Sequence, residues 1–175
     1  GAEPEELISL VRKTLVVNEI APERVALVAS LDLKSDEPAV HALAAYFTEN
    51  CGAECPARFF DAPTLEAQTP KLKNPSEIVF QEVGCHGVAE GAALAAVGDS
   101  GILLVPKVKS SGMSGAGRAT CGIAESAEYL DPQMIGRAQG TLFIVGTGPG
   151  TPQWRLPESE KMLRKATDWV GYGLY

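Results

Sequence analysis

Between Pro4 and Val17 the apolar residues Leu7, Ile8, Val11 and Leu15 recur at spacings of three and four, with Glu3, Glu5 and Glu6 gathered at the start. That period predicts an amphipathic helix, and the acids suit the positive end of its dipole. The run Val25-Ala26-Leu27-Val28-Ala29-Ser30 is apolar without a helical period and reads as a buried strand. A second helix is predicted as far as Thr48, capped by Ser35 or Asp36, with Val40, Leu43, Ala44 and Phe47 turned inward. Ala57 to Phe60 reads as a short strand, and Asp61-Ala62-Pro63-Thr64 supplies a cap and a first-turn proline for a brief helix. Gln68 to Lys73 is polar and predicted to loop out. Asn74-Pro75-Ser76-Glu77 opens a further helix that ends at Gly84.

The second half repeats the alternation. Gly87 to Val97 is Ala-rich and helical, with Gly98 as its stop. Gly101 to Val105 is a second buried strand, Ser110 to Gly117 a glycine- and serine-rich loop, and Ala119 to Ala124 a returning strand. Thr141 to Val145 reads as a third strong strand, and Glu158 to Ala166 as a helix. Helix and apolar strand in alternation predict an α/β protein: a three-layer α/β/α arrangement around a mostly parallel sheet. The composition changes over 131–139, which reads as a linker between a domain at 1–130 and a segment at 140–175.

Composition narrows the function classes. The chain has 175 residues, 45% of them hydrophobic, enough to bury a core and to exclude disorder along its whole length. Aromatic residues are only 6%, so Ala, Val, Leu and Ile must fill that core. A formal charge of -7 and no basic run argue against nucleic acid as a partner. Apolar runs fall well short of the roughly 20 residues that cross a bilayer, so no membrane partner is expected. The polar, acidic start does not read as a signal peptide, and the expected location is cytoplasmic.

Candidate chemistry gathers at strand ends. Ser30-Leu31-Asp32-Leu33-Lys34-Ser35-Asp36-Glu37 follows a strand directly, the position where α/β sheets bind ligands. Lys34 could meet a substrate carboxylate there while Asp32 or Glu37 serves as base or orienting group; capping and surface pairing are the plainer alternative. Lys107, Lys109 and Arg118 flank the glycine-rich loop as a cationic rim. Glu90, among small residues, belongs either at a helix surface or buried with a partner, for which Lys34 or Lys107 is the candidate. Gly146, Gly148 and Gly150 form a turn whose backbone N–H groups can approach a ligand, but the third glycine of a dinucleotide fingerprint is replaced by Thr151. A dinucleotide fold is therefore rejected, and a simple strand-to-loop turn stands beside the ligand reading. Cys51 and Cys55, with Cys85 next to His86, give soft ligands in awkward positions, so buried thiols are expected rather than a metal site. His41, within a predicted helix, reads as structural.

Several of these segments occur together in one family. Val28 to Glu37, Pro75-Ser76-Glu77, Val83-Gly84, Gly87 to Leu94, Leu103 to Lys107 and Ala119 to Ala124 resemble, in order, the C-terminal domain of the cobalamin-biosynthesis protein CbiG and the CobE family. Gly140 to Gly150, with Val170-Gly171-Tyr172 and Tyr175, is similar to the start of precorrin-3B C-17 methyltransferase, as in fused cobalamin-biosynthesis proteins. The resemblance implies a role in corrin-ring synthesis, with a polycarboxylate corrin intermediate as ligand and the rest of a fused methyltransferase as partner. A homodimer stays open.

In the full-length family the associated reaction is opening of the cobalt-precorrin-5A lactone. The alternative is a docking module that hands a corrinoid to the methyltransferase. On this reading Ser30, Asp32, Lys34, Lys107 and Thr120 would bind substrate, and Glu37 and Glu90 would handle protons. Gly146, Gly148 and Gly150 would approach S-adenosylmethionine, a cofactor implied only for a complete methyltransferase, with none for the main domain. The family domain usually opens with a glycine-rich strand and a Cys-Arg-Arg turn, whereas this chain begins with the first helix. Thr141 to Val145 is therefore expected to fill the strand's place beside residues 25–30 and 101–106, since a gap would leave strand edges open.

Overall fold

The computed structural model describes residues 1–111, 118–146, 155–166 and 168–171. It divides into two units, Gly1–Gln139 and Gly140–Tyr175. In the first, the order is α1 (Pro4–Val17), β1 (Val28–Leu31), α2 (Pro38–Asn50), β2 (Ala57–Phe60), α3 (Ala62–Glu66), α4 (Glu77–Val83), α5 (Val88–Val97), β3 (Ile102–Lys109) and β4 (Thr120–Glu125). The class is α/β, with β1 and β2 parallel, while β3 and β4 pair antiparallel.

Helices cover both faces of the strands. Leu10, Val11 and Leu15 of α1 pack with Leu43 and Phe47 of α2 and with Cys121 of β4, and Val28 joins them from β1. The alternate residues of β1, Ala29 and Leu31, turn the other way, to a second cluster with Leu65, Cys85 and Ala92. This alternation is the period of two of a strand, apolar on both sides because both sides are covered. Phe47, Leu15, Leu31 and Leu65 are at most 2% exposed. Each stabilises the fold by about 1.5–3 kcal/mol through burial.

The helix ends follow local chemistry. Asp61 caps α3 by accepting the Thr64 N–H at 3.0 Å, and Ser76 caps α4. Gly84 and Gly98 end α4 and α5 at positive φ, 77° and 71°, which glycine adopts without strain. Helix α2, in contrast, starts later than predicted, and neither Ser35 nor Asp36 caps it. Asp32–Lys34 form a 3-10 turn in which the Ser35 N–H bonds the Asp32 carbonyl, and Pro38, with its fixed φ, opens the helix.

Strand limits are set by pairing. Residues 25–27 drop out of β1 because Val25 closes a 3-10 turn over Pro22–Arg24, and pairing with β2 begins only at the Val28 N–H to Pro56 carbonyl bond. Strand β3 runs longer than expected, through Pro106, which lies where the ladder to β4 shifts register between Val105 and Val108. A proline lacks the ladder N–H and is tolerated at such an irregularity. The 68–73 segment does not loop out: it makes a 3-10 turn over Thr69–Lys71, and Leu72 is buried.

Residues 131–139, read from sequence as a linker, lie in the first unit and are hydrogen-bonded to β2. Phe59 and Arg137 exchange N–H···O bonds at 2.8 and 2.9 Å. The Arg58 guanidinium, buried in β2, donates to the carbonyls of Gln133, Ile135 and Gly136.

In the second unit α6 spans Pro157–Lys165, with Glu158 and Glu160 in its first turn and Arg164 and Lys165 in its last. Thr141 to Val145 forms no strand, and Leu142 and Ile144 are 86% and 91% exposed. The expectation that this segment completes the sheet fails. Its β-branched and aromatic content is overruled because an isolated strand has no ladder to join.

Candidate functional site

One cavity brings together part of the predicted polar set, from β1, the β1–α2 connection and the start of β4. The β1–α2 connection places Lys34 Nζ 3.1 Å from Glu37 Oε2, and the other Glu37 oxygen accepts the Ala2 N–H at 3.2 Å. Ser30, buried at the end of β1, and Thr120, exposed at the start of β4, lie with Lys34, Glu37 and Arg118 along the wall of one cavity of about 810 Å³. That cavity lies between β1 and β4, is lined by apolar residues of α1, α2 and α5, and its charged lining includes the cations Arg24, Lys34 and Arg118 and the acids Glu23, Glu37, Glu54, Glu125 and Glu128. Asp32 is half-buried in the adjoining turn, and neither it nor Lys107 lines the cavity. Arg118 is positioned by Glu6, whose carboxylate accepts the Arg118 N–H at 3.0 Å and the Ser110 hydroxyl. The Ser110 bond, then the Arg118 one, hold the Glu6 carboxyl below its usual pKa.

Glu90 and Lys107 form a second cluster. Glu90, on α5, is 2% exposed and accepts four hydrogen bonds. Its Oε1 takes the Asn74 side-chain N–H and the Lys107 backbone N–H, both at 2.7 Å. Its Oε2 takes the Lys73 and Asn74 backbone N–H groups at 2.7 and 3.1 Å. Burial pushes the carboxyl pKa up, but the bonds from Asn74, Lys107 and Lys73 outweigh it and hold the value below the usual range. The expected partner was a lysine ammonium. The partners found are backbone donors and an asparagine, and the Lys107 ammonium instead donates to the Asn74 carbonyl at 3.1 Å.

The pairing of sequence-predicted residues is thus partial: Ser30, Lys34, Glu37 and Thr120 share the cavity, while Glu90 and Lys107 meet through a backbone bond elsewhere. Gly148 and Gly150 lie outside the described residues. Gly146 is in coil, with nothing among the described residues within 4 Å of where a Cβ would sit. Among the described residues no group of three or more His, Cys, Asp or Glu side chains is placed to hold a metal. The four cysteines are unpaired, and Cys55, Cys85 and Cys121 are buried. His41 Nε2 lies 2.6 Å from the Ser35 carbonyl oxygen, a structural tie.

Sequence reasoning missed Asn74, Arg58 and the His86 group. His86 Nδ1 lies 3.0 Å from both oxygens of Glu66, its Nε2 lies 3.4 Å from Glu77, and its ring stacks on Phe80. The one available signal was the Pro75-Ser76-Glu77 helix start, which places Glu77 in the first turn of α4.

These features define a helix-covered α/β domain with a largely apolar cavity between β1 and β4 that is lined by residues of both charges. Residues 1–124 match the family model described as Cobalamin synthesis G C-terminus, and the chain belongs to that family. It is 47% identical over 135 residues to Protein CobE of Sinorhizobium sp, covering 77% of this chain and 80% of the relative. The crystal structure of CobE, described as a protein from the cobalamin (vitamin B12) biosynthetic pathway, aligns with a TM-score of 0.60 at 31% identity, over 71% of this chain and 85% of that one. A 36-residue stretch is 47% identical to the cobalamin biosynthesis protein CobIJ of Mycobacterium tuberculosis H37Rv, covering 21% of this chain and 7% of that protein. A role in cobalamin biosynthesis follows. No helix among the described residues is long and apolar enough to cross a membrane.

Proposed function

We propose that the first unit binds a polycarboxylate corrin intermediate at the β1–β4 cavity, as a docking module of corrin synthesis. The supporting observation is the grouping of Ser30, Lys34, Glu37 and Thr120 on one cavity wall, with Arg118 as a further cation. An apolar lining suits the macrocycle, and Lys34 and Arg118 are the cations that would meet its carboxylates, Arg24 being paired with Glu125. Lys107, a half-buried lysine outside that wall, would meet a more distant carboxylate. Binding is favoured over lactone opening because Glu90 is committed to four internal hydrogen bonds. A hydrolytic role would fall to Glu37, whose carboxylate stands beside Lys34 at the cavity. Residues 140–175 are read as the opening of a tetrapyrrole methyltransferase, a reading with which a 36-residue likeness to the cobalamin biosynthesis protein CobIJ is compatible in length.

The test is calorimetric titration of the chain with a late corrin intermediate, repeated on Lys34→Ala and Lys107→Ala. Lys34 is 43% exposed, and an ion pair so open to water is worth about 0–1 kcal/mol, so either substitution is expected to weaken binding about two- to fivefold. Binding that neither substitution changes would reject these site residues. Release of acetaldehyde from a lactone precursor would favour the hydrolytic role instead.

A further inference from the structure

Helix α4 has little packing of its own. None of its residues is buried, and Ile78 is 71% exposed. It is fastened at two places. Glu90 fixes the segment before it by holding Lys73 and Asn74. His86 fixes the helix itself: its carbonyl accepts the Ser76 N–H at 2.8 Å, its ring stacks on Phe80 with centroids 4.5 Å apart, and its Nε2 faces the Glu77 carboxylate at 3.4 Å. On its other edge Nδ1 faces Glu66, the last residue of α3, at 3.0 Å, and the His86 backbone N–H donates to the same carboxylate.

The ionisable groups facing the ring are thus Glu66 from α3 and Glu77 from α4. A neutral imidazole carries one N–H and an imidazolium two. With a carboxylate at each ring nitrogen, only the imidazolium can donate to both. On deprotonation the remaining proton belongs at Nδ1, where the contact is shorter and Glu66 is also held by Thr69. Nε2 then presents a lone pair to Glu77.

We propose that His86 is a proton-operated latch on α4. Doubly protonated, it joins the end of α3 to the first turn of α4. Deprotonated, it releases Glu77, and α4 opens while Glu90 still holds its base. The hydrogen bond to Glu66, and more weakly Glu77, holds the His86 pKa above its ordinary 6.5, which brings the release towards neutral pH. Glu90, with its lowered pKa, stays ionised through that range.

The experiment is amide hydrogen exchange by NMR on the full chain between pH 5.5 and 8.5, with rates corrected for intrinsic pH dependence. The Phe80 and Gly84 amides, bonded within α4 to Ser76 and Phe80, report the helix, and Gly98, bonded to Leu94 at the end of α5, is the reference. Protection of the α4 amides relative to Gly98 is expected to fall about two- to fivefold as pH rises through the His86 titration, the scale of one part-exposed ion pair. Glu77→Gln, at an exposed side chain, should abolish that fall, and Glu82→Gln should leave it intact. Equal protection at both ends of the range, or a fall undiminished in Glu77→Gln, overturns the latch. So does a neutral ring found with its proton on Nε2.

Discussion

Replacing Glu90 by glutamine keeps the shape of the side chain and reverses one of its two hydrogen-bonding ends. The carboxylate accepts two bonds on each oxygen, all from donors. If the new amide nitrogen takes the Oε2 position, the Lys73 and Asn74 N–H groups both lose their acceptor. If it takes the Oε1 position, the Asn74 side chain can flip to offer its oxygen, and only the Lys107 N–H is stranded. The second arrangement is the cheaper. It loses one charge-assisted bond, about 1.5–3 kcal/mol, and weakens the others to neutral strength, so Glu90→Gln should destabilise by about 3–4 kcal/mol. In urea, at a slope of about 2 kcal/mol per molar, the midpoint should fall by about 1.5–2 M.

The pH dependence supplies a second readout. A carboxylate whose folded pKa is depressed contributes stability above its unfolded pKa and loses it as pH falls through the folded value. The gap between wild type and Glu90→Gln should therefore be full at pH 7 and narrow below the ordinary glutamate value of 4.5. A midpoint shift under about 0.3 M, or a gap equal at pH 3 and pH 7, would refute the four-bond account.

Three further outcomes follow from the same geometry. Arg58→Ala removes the donor shared by three carbonyls of residues 133–136 and should destabilise by about 2–4 kcal/mol, while hydrogen exchange at the Arg137 amide accelerates. An unchanged Arg137 rate would show that the segment is held by something else. Gly122→Val should cost about 1–3 kcal/mol and lower Tm by several degrees, because even a Cβ there meets the backbone of Ala89 and Glu90 at 3.4 Å; an unaltered Tm would count against this close β4–α5 contact. Burial pushes the Cys55 thiol up to about 12 and raises Cys85 and Cys121, so brief iodoacetamide treatment of the folded chain at pH 8 should alkylate Cys51 alone. Mass spectrometry that finds rapid adducts on Cys55 would contradict its enclosure.

The elements that could be read from sequence were those whose determinants are local. Helix α1 declares itself by spacing, α3 by Asp61 and Pro63, and the ends of α4 and α5 by Ser76, Gly84 and Gly98. Strand limits were not local. Val25 to Leu27 have the same apolar character as Val28 to Leu31, yet only the second stretch meets β2. Pro106 looks like a strand breaker and lies within β3, because the ladder is already irregular there. Thr141 to Val145 has strong strand chemistry and no ladder at all.

The same distinction separates the two carboxylates that sequence treated alike. The pairing of Glu37 with Lys34, three residues apart, could be read from the β1–α2 turn. The donors to Glu90 lie 16 or 17 residues away, and three of the four are backbone N–H groups, which leave no mark on side-chain pattern. Their consequences for an anionic ligand differ as well. Lys34 is 43% exposed, and an ion pair so open to water is worth about 0–1 kcal/mol, so a ligand carboxylate can replace Glu37 at Lys34 with little loss. Displacing Glu90 would strand four donors inside the protein, each at a cost of about 1–3 kcal/mol. On the proposed reading a polycarboxylate would therefore exchange with Glu37 at Lys34 and leave the Glu90 cluster intact. In this scheme Lys107 can contribute only its ammonium, by giving up the Asn74 carbonyl, while its backbone stays bound to Glu90.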